Sequence, residues 1–323
     1  MPSPPNTMST CLTTPVALLI FNRPTLTERV FEAVAKARPE RLLVVADGPR
    51  FPGEEEKCAR ARAVVERVDW DCQVLTNFAE RNLGCRGRVS SGLDWVFSQV
   101  EEAIILEDDC LPAPSFFRFC QELLARYRHD ERVMHIGGVN FQDGYNQTPY
   151  SYYFSRHTHC WGWATWRRAW QFYGVDMSLW PENRGSVAAL FDDEVERDYF
   201  TGAFEQAFRG EVDTWDYQWA YACMVQSGLS ALPSVNLVSN IGWGAEATHT
   251  KQERHEAANR PTSDLGDLHH PPFVILHRAA DRYTLDNVLG GAGLRNKRPA
   301  QADPAQSTPL RRIKSGVRNL IGR

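Results

Sequence analysis

Residues 107–109 read Glu-Asp-Asp, three consecutive carboxylates placed where the apolar run Ile104–Leu106 stops and just ahead of Cys110, Leu111 and Pro112. Adjacent acids repel one another and gain little from a sheet. A hard divalent cation prefers such oxygen ligands and would bridge them to a bound diphosphate. A solvated acidic turn capping the next helix is the plainer account of the same residues. Two further stretches put polar groups where an apolar run ends, Phe21-Asn22-Arg23-Pro24 and Ala46-Asp47-Gly48-Pro49. A guanidinium such as that of Arg23 pairs with two phosphate oxygens at once, and a carboxylate such as that of Asp47 accepts the imide N–H of a uracil. Asn22 and Asp47 before Pro and Gly also suit ordinary turns.

The elements that must position these groups alternate in type. The spacing predicts strands over Val16–Phe21, Arg41–Ala46, Cys72–Thr76 and Ala103–Leu106, and helices over Thr25–Ala37, Glu54–Val68, Gly84–Val100 and Pro114–His129. Such alternation implies right-handed crossovers and a mostly parallel sheet flanked by helices, an α/β fold. Ligands of open α/β sheets sit beyond the carboxyl ends of the strands, where all three polar stretches fall.

Past a strand over Val133–Gly138 the texture becomes aromatic: eight of the ten tryptophans lie between residues 161 and 243, which marks a substrate-facing half. Tyr150–Phe154 and Ser234–Val238 are predicted strands; Ala164–Tyr173, Val187–Phe208 and Asp216–Ser227 are predicted helices. Trp161-Gly162-Trp163 puts two indoles on one side of an extended segment, with room between them for a flat sugar ring. Trp166 and Trp170, four residues apart, mark a helix face instead. The expected organisation is a flexible segment 1–14, a unit over 15–290 with a nucleotide-binding half (15–138) and an acceptor-facing half (139–290), and a basic tail 291–323.

Composition excludes several classes. The 323 residues are 43% hydrophobic with a formal charge of -4, so a globular core is available and no basic excess favours nucleic acid. No early apolar run approaches the ~20 residues of a membrane span, and Met1–Thr10 lacks the basic start of a signal peptide, so the expected location is cytoplasmic. The eight cysteines form no C-x-x-C pair and are expected to be free thiols, mostly buried. No G-x-x-x-x-G-K-[ST] loop and no G-x-G-x-x-G fingerprint follows the first strand, which argues against P-loop and nicotinamide enzymes and leaves a phosphate to a metal and arginines. In the tail, Leu310, Ile313, Val317 and Leu320 share one helical face among basic residues; the segment suits either an anionic membrane surface or a solvated tail.

Residues 15 to about 250 resemble glycosyltransferases of the GT-A (nucleotide-diphospho-sugar transferase) fold. They are similar to bacterial family 2-like sugar transferases and, more distantly, to type I N-acetylglucosaminyltransferases. The matching pieces are Phe21-Asn22-Arg23, Ala46-Asp47-Gly48, Asn82-Leu83-Gly84 with Arg86 and Arg88, Glu107–Pro112 followed by Pro114-Ser115-Phe116-Phe117, Trp161-Gly162-Trp163, and Thr214–Trp219. The resemblance implies that Glu107-Asp108-Asp109 is the D-x-D equivalent, with Asp109 the direct Mn2+ or Mg2+ ligand. By the same resemblance Asp47 meets the base of a nucleotide sugar, UDP-linked by preference, Arg23 meets its diphosphate, and either Arg86 or Arg88 also reaches the nucleotide. His249, at the end of the glycine-bearing segment 240–250, is the second expected metal ligand. Asp216, in the pattern Trp-Asp-x-x-Trp, is the expected base that deprotonates the acceptor hydroxyl of a glycan or glycolipid in inverting transfer. At the start of a helix the backbone N–H groups compete for its lone pairs, and Asp213 and Glu211 are nearby substitutes. The activity implied is metal-dependent transfer in cell-surface polysaccharide or glycolipid synthesis, with the basic tail at the inner face of the membrane. Two other functions use some of these residues: a metal-dependent phosphohydrolase, which wants further Asp or His ligands, and a non-catalytic glycan-binding protein built on the tryptophans.

Overall fold

The computed structural model describes residues 12–145, 148–243 and 259–297. In chain order the strands and helices of the first part are β1 (Val16–Ile20), α1 (Pro24–Ala37), β2 (Arg41–Ala46), α2 (Glu55–Ala63), β3 (Gln73–Phe78), α3 (Gly84–Gln99), β4 (Glu102–Glu107), β5 (Cys110–Pro112), α4 (Pro114–Tyr127) and β6 (Val133–Gly137). Then follow β7 (Tyr152–Ser155), β8 (Trp163–Trp166), α5 (Arg167–Trp170), α6 (Trp180–Ala188), α7 (Glu194–Phe208), α8 (Asp216–Val225), β9 (Leu229–Pro233), β10 (Val238–Asn240), α9 (Arg278–Asn287) and α10 (Gly291–Lys297).

The α/β architecture expected from the alternation is present. An eight-stranded sheet runs in the order β3-β2-β1-β4-β8-β6-β9-β7, parallel from β3 to β4 and antiparallel where β8 is inserted. Side-chain alternation explains why its central strands are apolar at every position. Val16, Leu18 and Ile20 enter one core, which α1 and α4 close with Val30, Phe31, Val34, Phe116 and Leu123. Ala17 and Leu19 enter the other, closed by Val89, Leu93 and Val96 of α3 and Trp219 of α8. Each large aliphatic side chain so buried contributes about 1.5–3 kcal/mol before entropy is counted.

Three expectations about elements are corrected. Trp163–Trp166 is a strand between β4 and β6 rather than the start of a helix, because alternate side chains enter the two cores: Trp166 packs with α4 and Trp163 with α8. Only Arg167–Trp170 is helical there. The stretch read as one helix over 187–208 is two, because Asp193 starts α7 afresh by accepting the N–H groups of Val195 and Glu196. The late strand read over 234–238 is instead mostly the link between two short strands, β9 and β10, which lie in different sheets.

At the other end of the chain, α10 occupies the first residues of the stretch read as a tail, and Arg295 within it pairs with Asp193 and Asp286. The apolar face from Leu310 to Leu320 lies outside the described residues. Among the described residues no helix is long and apolar enough to cross a membrane. The seven described cysteines form no disulfide.

Candidate active site

β1, β2 and β4 are parallel neighbours in the sheet, Val16 pairing with both Leu42 and Ile104, so the chain leaves all three at the same edge. Arg23, Asp47 and Glu107-Asp108-Asp109 therefore meet, and they line one cavity of about 470 Å³. Arg23 closes on the acids. Its Nη1 donates to Asp109 Oδ2 at 2.9 Å, its Nε to Asp108 Oδ2 at 3.3 Å, and its Nη2 to Asp108 Oδ1. One guanidinium does not balance three carboxylates. Burial, then the like charges of Asp109 and Asp108, push the Glu107 carboxyl up to about 8, and burial raises Asp108 despite its bonds to Arg23.

Asp47 organises the second strand end. Its Oδ1 accepts from the backbone N–H of Gly48 (2.8 Å) and Leu83 (2.9 Å), and its Oδ2 from Asn82 Nδ2 (2.8 Å). Burial nevertheless lifts its pKa above the ordinary carboxylate value. Of the two arginines left open by the sequence, Arg88 is in the cavity wall, where its Nε donates to Ala46 O at 3.1 Å and its Nη2 to Asn77 Oδ1 at 2.8 Å. Arg86 is not among the lining residues, and its backbone N–H donates to Asp213. Asn22 turns the other way and donates to Glu54 Oε1 at 2.7 Å, tying the β1 exit to the loop after β2. Sequence reasoning passed over Arg50, which lines the cavity from that loop while pairing with Glu54; its place two residues after Gly48-Pro49 was the available signal.

The facing wall comes from residues 213–216 and 240–243. Asp213 accepts from the N–H groups of Cys85 and Arg86 at 3.1 and 3.0 Å and so caps α3. Asp216 opens α8: its Oδ1 accepts from Tyr217 N (3.0 Å) and Thr214 Oγ1, while its Oδ2 has only the Cys160 thiol at 3.9 Å. Burial pushes the Cys85 and Cys160 thiols up, which keeps them protonated and poor nucleophiles. Pairing of β10 with β5 draws residues 240–242 across the triplet, where Ile241 N donates to Asp109 O. A Cβ on Gly242 would stand 2.2 Å from Asp109 Oδ2, so no side chain fits there.

The tryptophan pair departs from expectation. Gly162 has a positive φ of 66°, which breaks the extended path and sends the two indoles opposite ways. Trp161, at the cavity, packs edge-on against Trp243 and Phe141. Trp163 is fully buried, stacked on Trp215 and His135 with centroids 5.4 and 5.2 Å away, and it packs the core rather than facing a sugar. His249 lies outside the described residues.

The described lining carries six carboxylates (Asp47, Glu107, Asp108, Asp109, Asp213, Asp216) against three guanidinia (Arg23, Arg50, Arg88). That donor set, all hard oxygen and short of positive charge, fits a divalent cation. A cleft of about 510 Å³ between α1 and α4 gathers only one carboxylate, Glu32, beside Arg29, Lys36 and Arg118.

No protein-family model matches the chain, and no curated protein does. Among solved structures the chain is similar in part to a UDP-glucose pyrophosphorylase complexed with UDP-glucose, at 10% identity over 49% of this chain and 78% of that one, with a TM-score of 0.29. It is similar in the same way to a 4-diphosphocytidyl-2C-methyl-D-erythritol synthase from Anaerococcus prevotii, at 10% identity over 59% of this chain and 85% of that one, with a TM-score of 0.30.

Proposed function

We propose that the chain is an inverting glycosyltransferase of the GT-A fold. It uses a divalent cation and moves a sugar from a nucleotide-diphosphate sugar, UDP-linked by preference, to the hydroxyl of a glycan or glycolipid acceptor. The charge balance of the cavity supports this most. Even with Glu107 protonated, the other five carboxylates outnumber the three guanidinia and repel a diphosphate unless a cation enters with it. Glu107, Asp108 and Asp109 would hold Mn2+ or Mg2+, with Asp109 the direct ligand. When bound, the ion offsets the acids and stabilises negative charge growing on the leaving diphosphate.

The chain's own groups do the rest. Arg23, exchanging Asp108 and Asp109 for phosphate oxygens, orients the diphosphate. Asp47, held by Leu83 and Asn82, keeps a lone pair on Oδ2 for the base imide N–H. Trp161 borders the sugar. Asp216 Oδ2 takes the acceptor's hydroxyl proton as the acceptor oxygen bonds to C1 of the sugar. The C1–O bond to phosphate breaks with its electron pair on the departing nucleoside diphosphate, and the anomeric centre inverts. The acceptor belongs to cell-surface polysaccharide or glycolipid assembly, with the basic residues beyond 310 meeting anionic lipid at the inner face of the membrane.

No described residue lining the cavity is histidine, which disfavours the phosphohydrolase, and a non-catalytic glycan-binding module would leave the six acids that line the cavity beside Trp161 and Trp243 without a role. The test is Asp109→Ala with a panel of UDP-sugars and Mn2+. Turnover is expected to fall at least about 100-fold and the Mn2+-dependent thermal shift by UDP to vanish, with ligand-free melting retained. Unchanged turnover overturns the assignment.

A further inference from the structure

Far from any motif in the sequence, His157, Glu196 and Asp281 come together from three elements: the segment after β7, the first turn of α7 and the first turn of α9. One ligand atom from each lies within 4.8 Å of the other two, and among the described residues this is the one such group of three. None of the three lines the cavity described above. His157 is 2% exposed, Asp281 3%, and Glu196 half-buried.

Their hydrogen bonds leave the group short of partners and of positive charge. His157 Nε2 stands 3.1 Å from Glu196 Oε1, and its Nδ1 is buried with no hydrogen-bond partner. Asp281 accepts from Ser155 Oγ at 2.5 Å and from Arg156 N at 3.0 Å, bonds that orient the carboxylate and use only half of its four lone pairs. The Arg156 guanidinium is turned over the Phe191 ring, 5.2 Å from its centroid. Even a fully protonated imidazole would leave two carboxylates with one compensating charge in a dry setting, an expensive arrangement. His159, two residues on, brings a second imidazole 6.3 Å from that of His157, and its Nε2 is also buried without a partner.

We propose that His157, Glu196 and Asp281 form a structural site for a transition-metal dication, Zn2+ by ligand type, separate from the cation of the acid-lined cavity. One neutral imidazole and two carboxylates balance a dication, and imidazole selects Zn2+ over Mg2+ or Ca2+. Metal–ligand bonds of about 2.1 Å put tetrahedral ligands about 3.4 Å apart, close to the existing spacing of His157 and Glu196. The ion would clamp together three segments spread over more than 120 residues of chain, locking α7 and α9 onto the end of β7. The inference does not depend on the proposed transferase activity.

The experiment measures Zn2+ binding by equilibrium dialysis on the full chain carrying Asp109→Ala, which removes the other site's ligand. About one equivalent is expected to remain bound and to raise the melting temperature, and Glu196→Gln in the same background is expected to weaken it about 100-fold or more. No binding in the Asp109→Ala chain overturns the proposal, and so does binding that Glu196→Gln leaves unchanged. If Glu196→Gln fails to fold, Co2+ added to the folded Asp109→Ala chain decides. A visible absorption band of four-coordinate Co2+, abolished by competing Zn2+, supports the site, and no band overturns it.

Discussion

Two regions meet back to back at Gly162. In front, the acid mouth holds charges whose partners can be exchanged: Arg23 bridges Asp108 and Asp109, and Asp216 Oδ2 has little beyond a thiol. Behind it, Trp163, Trp215, Trp219 and His135 form an uncharged, ring-on-ring block in which both nitrogens of His135 have neutral partners. His135 Nδ1 accepts from Trp219 Nε1 at 3.1 Å, and its Nε2 pairs with His159 O at 3.1 Å. Unbalanced charge destabilises a fold and a packed aromatic block offsets it, so neighbouring segments of one chain divide reactivity and rigidity between them.

That division is open to attack in order of effect. Asp216→Asn removes the proposed base, whose Oδ2 has only the weak Cys160 thiol contact, and kcat for sugar transfer is expected to fall about 10³-fold with nucleotide binding intact, measured by initial rates and by UDP titration. Trp163→Ala strikes the block; it is expected to cost about 3–5 kcal/mol in urea unfolding, whereas Trp161→Ala costs under about 1 kcal/mol and raises the donor KM. Equal losses from the two would erase the distinction. An effect smaller than that of Trp163→Ala is on pH. Burial depresses the His135 pKa to about 3 from an ordinary 6.5. Below 6.5 the unfolded chain takes up a proton that the folded chain refuses, so this group's contribution is full above 6.5 and is lost as pH falls toward 3. From pH 7 to 5 the loss is about 2 kcal/mol, and His135→Gln is expected to flatten that part of the stability–pH curve.

Much of the mouth was legible in the linear order. Val16–Ile20, Arg41–Ala46 and Glu102–Glu107 are apolar runs that halt at Asn22-Arg23, Asp47 and the acid triplet, and parallel neighbours must end at one edge. Asn22 misled because an Asx residue just past a strand marks the exit equally well whether it faces a ligand or, as here, Glu54. Trp166 misled because spacing of four from Trp170 fits a helix, while the strand pairing that overrules it comes from Glu102–Ile105 and Ile136–Gly137 far away.

Local periodicity and turn chemistry act over a few residues, so the sequence by itself determined the alternation of elements, the doubly covered strands and the presence of acids at a strand end. Tertiary structure alone decided that Arg23 closes on Asp108 and Asp109, that a left-handed Gly162 parts Trp161 from Trp163, and that His157, Glu196 and Asp281 share one buried spot. Those outcomes depend on which elements pack side by side, and on the cost of burying charge once they do, which no short window of sequence contains.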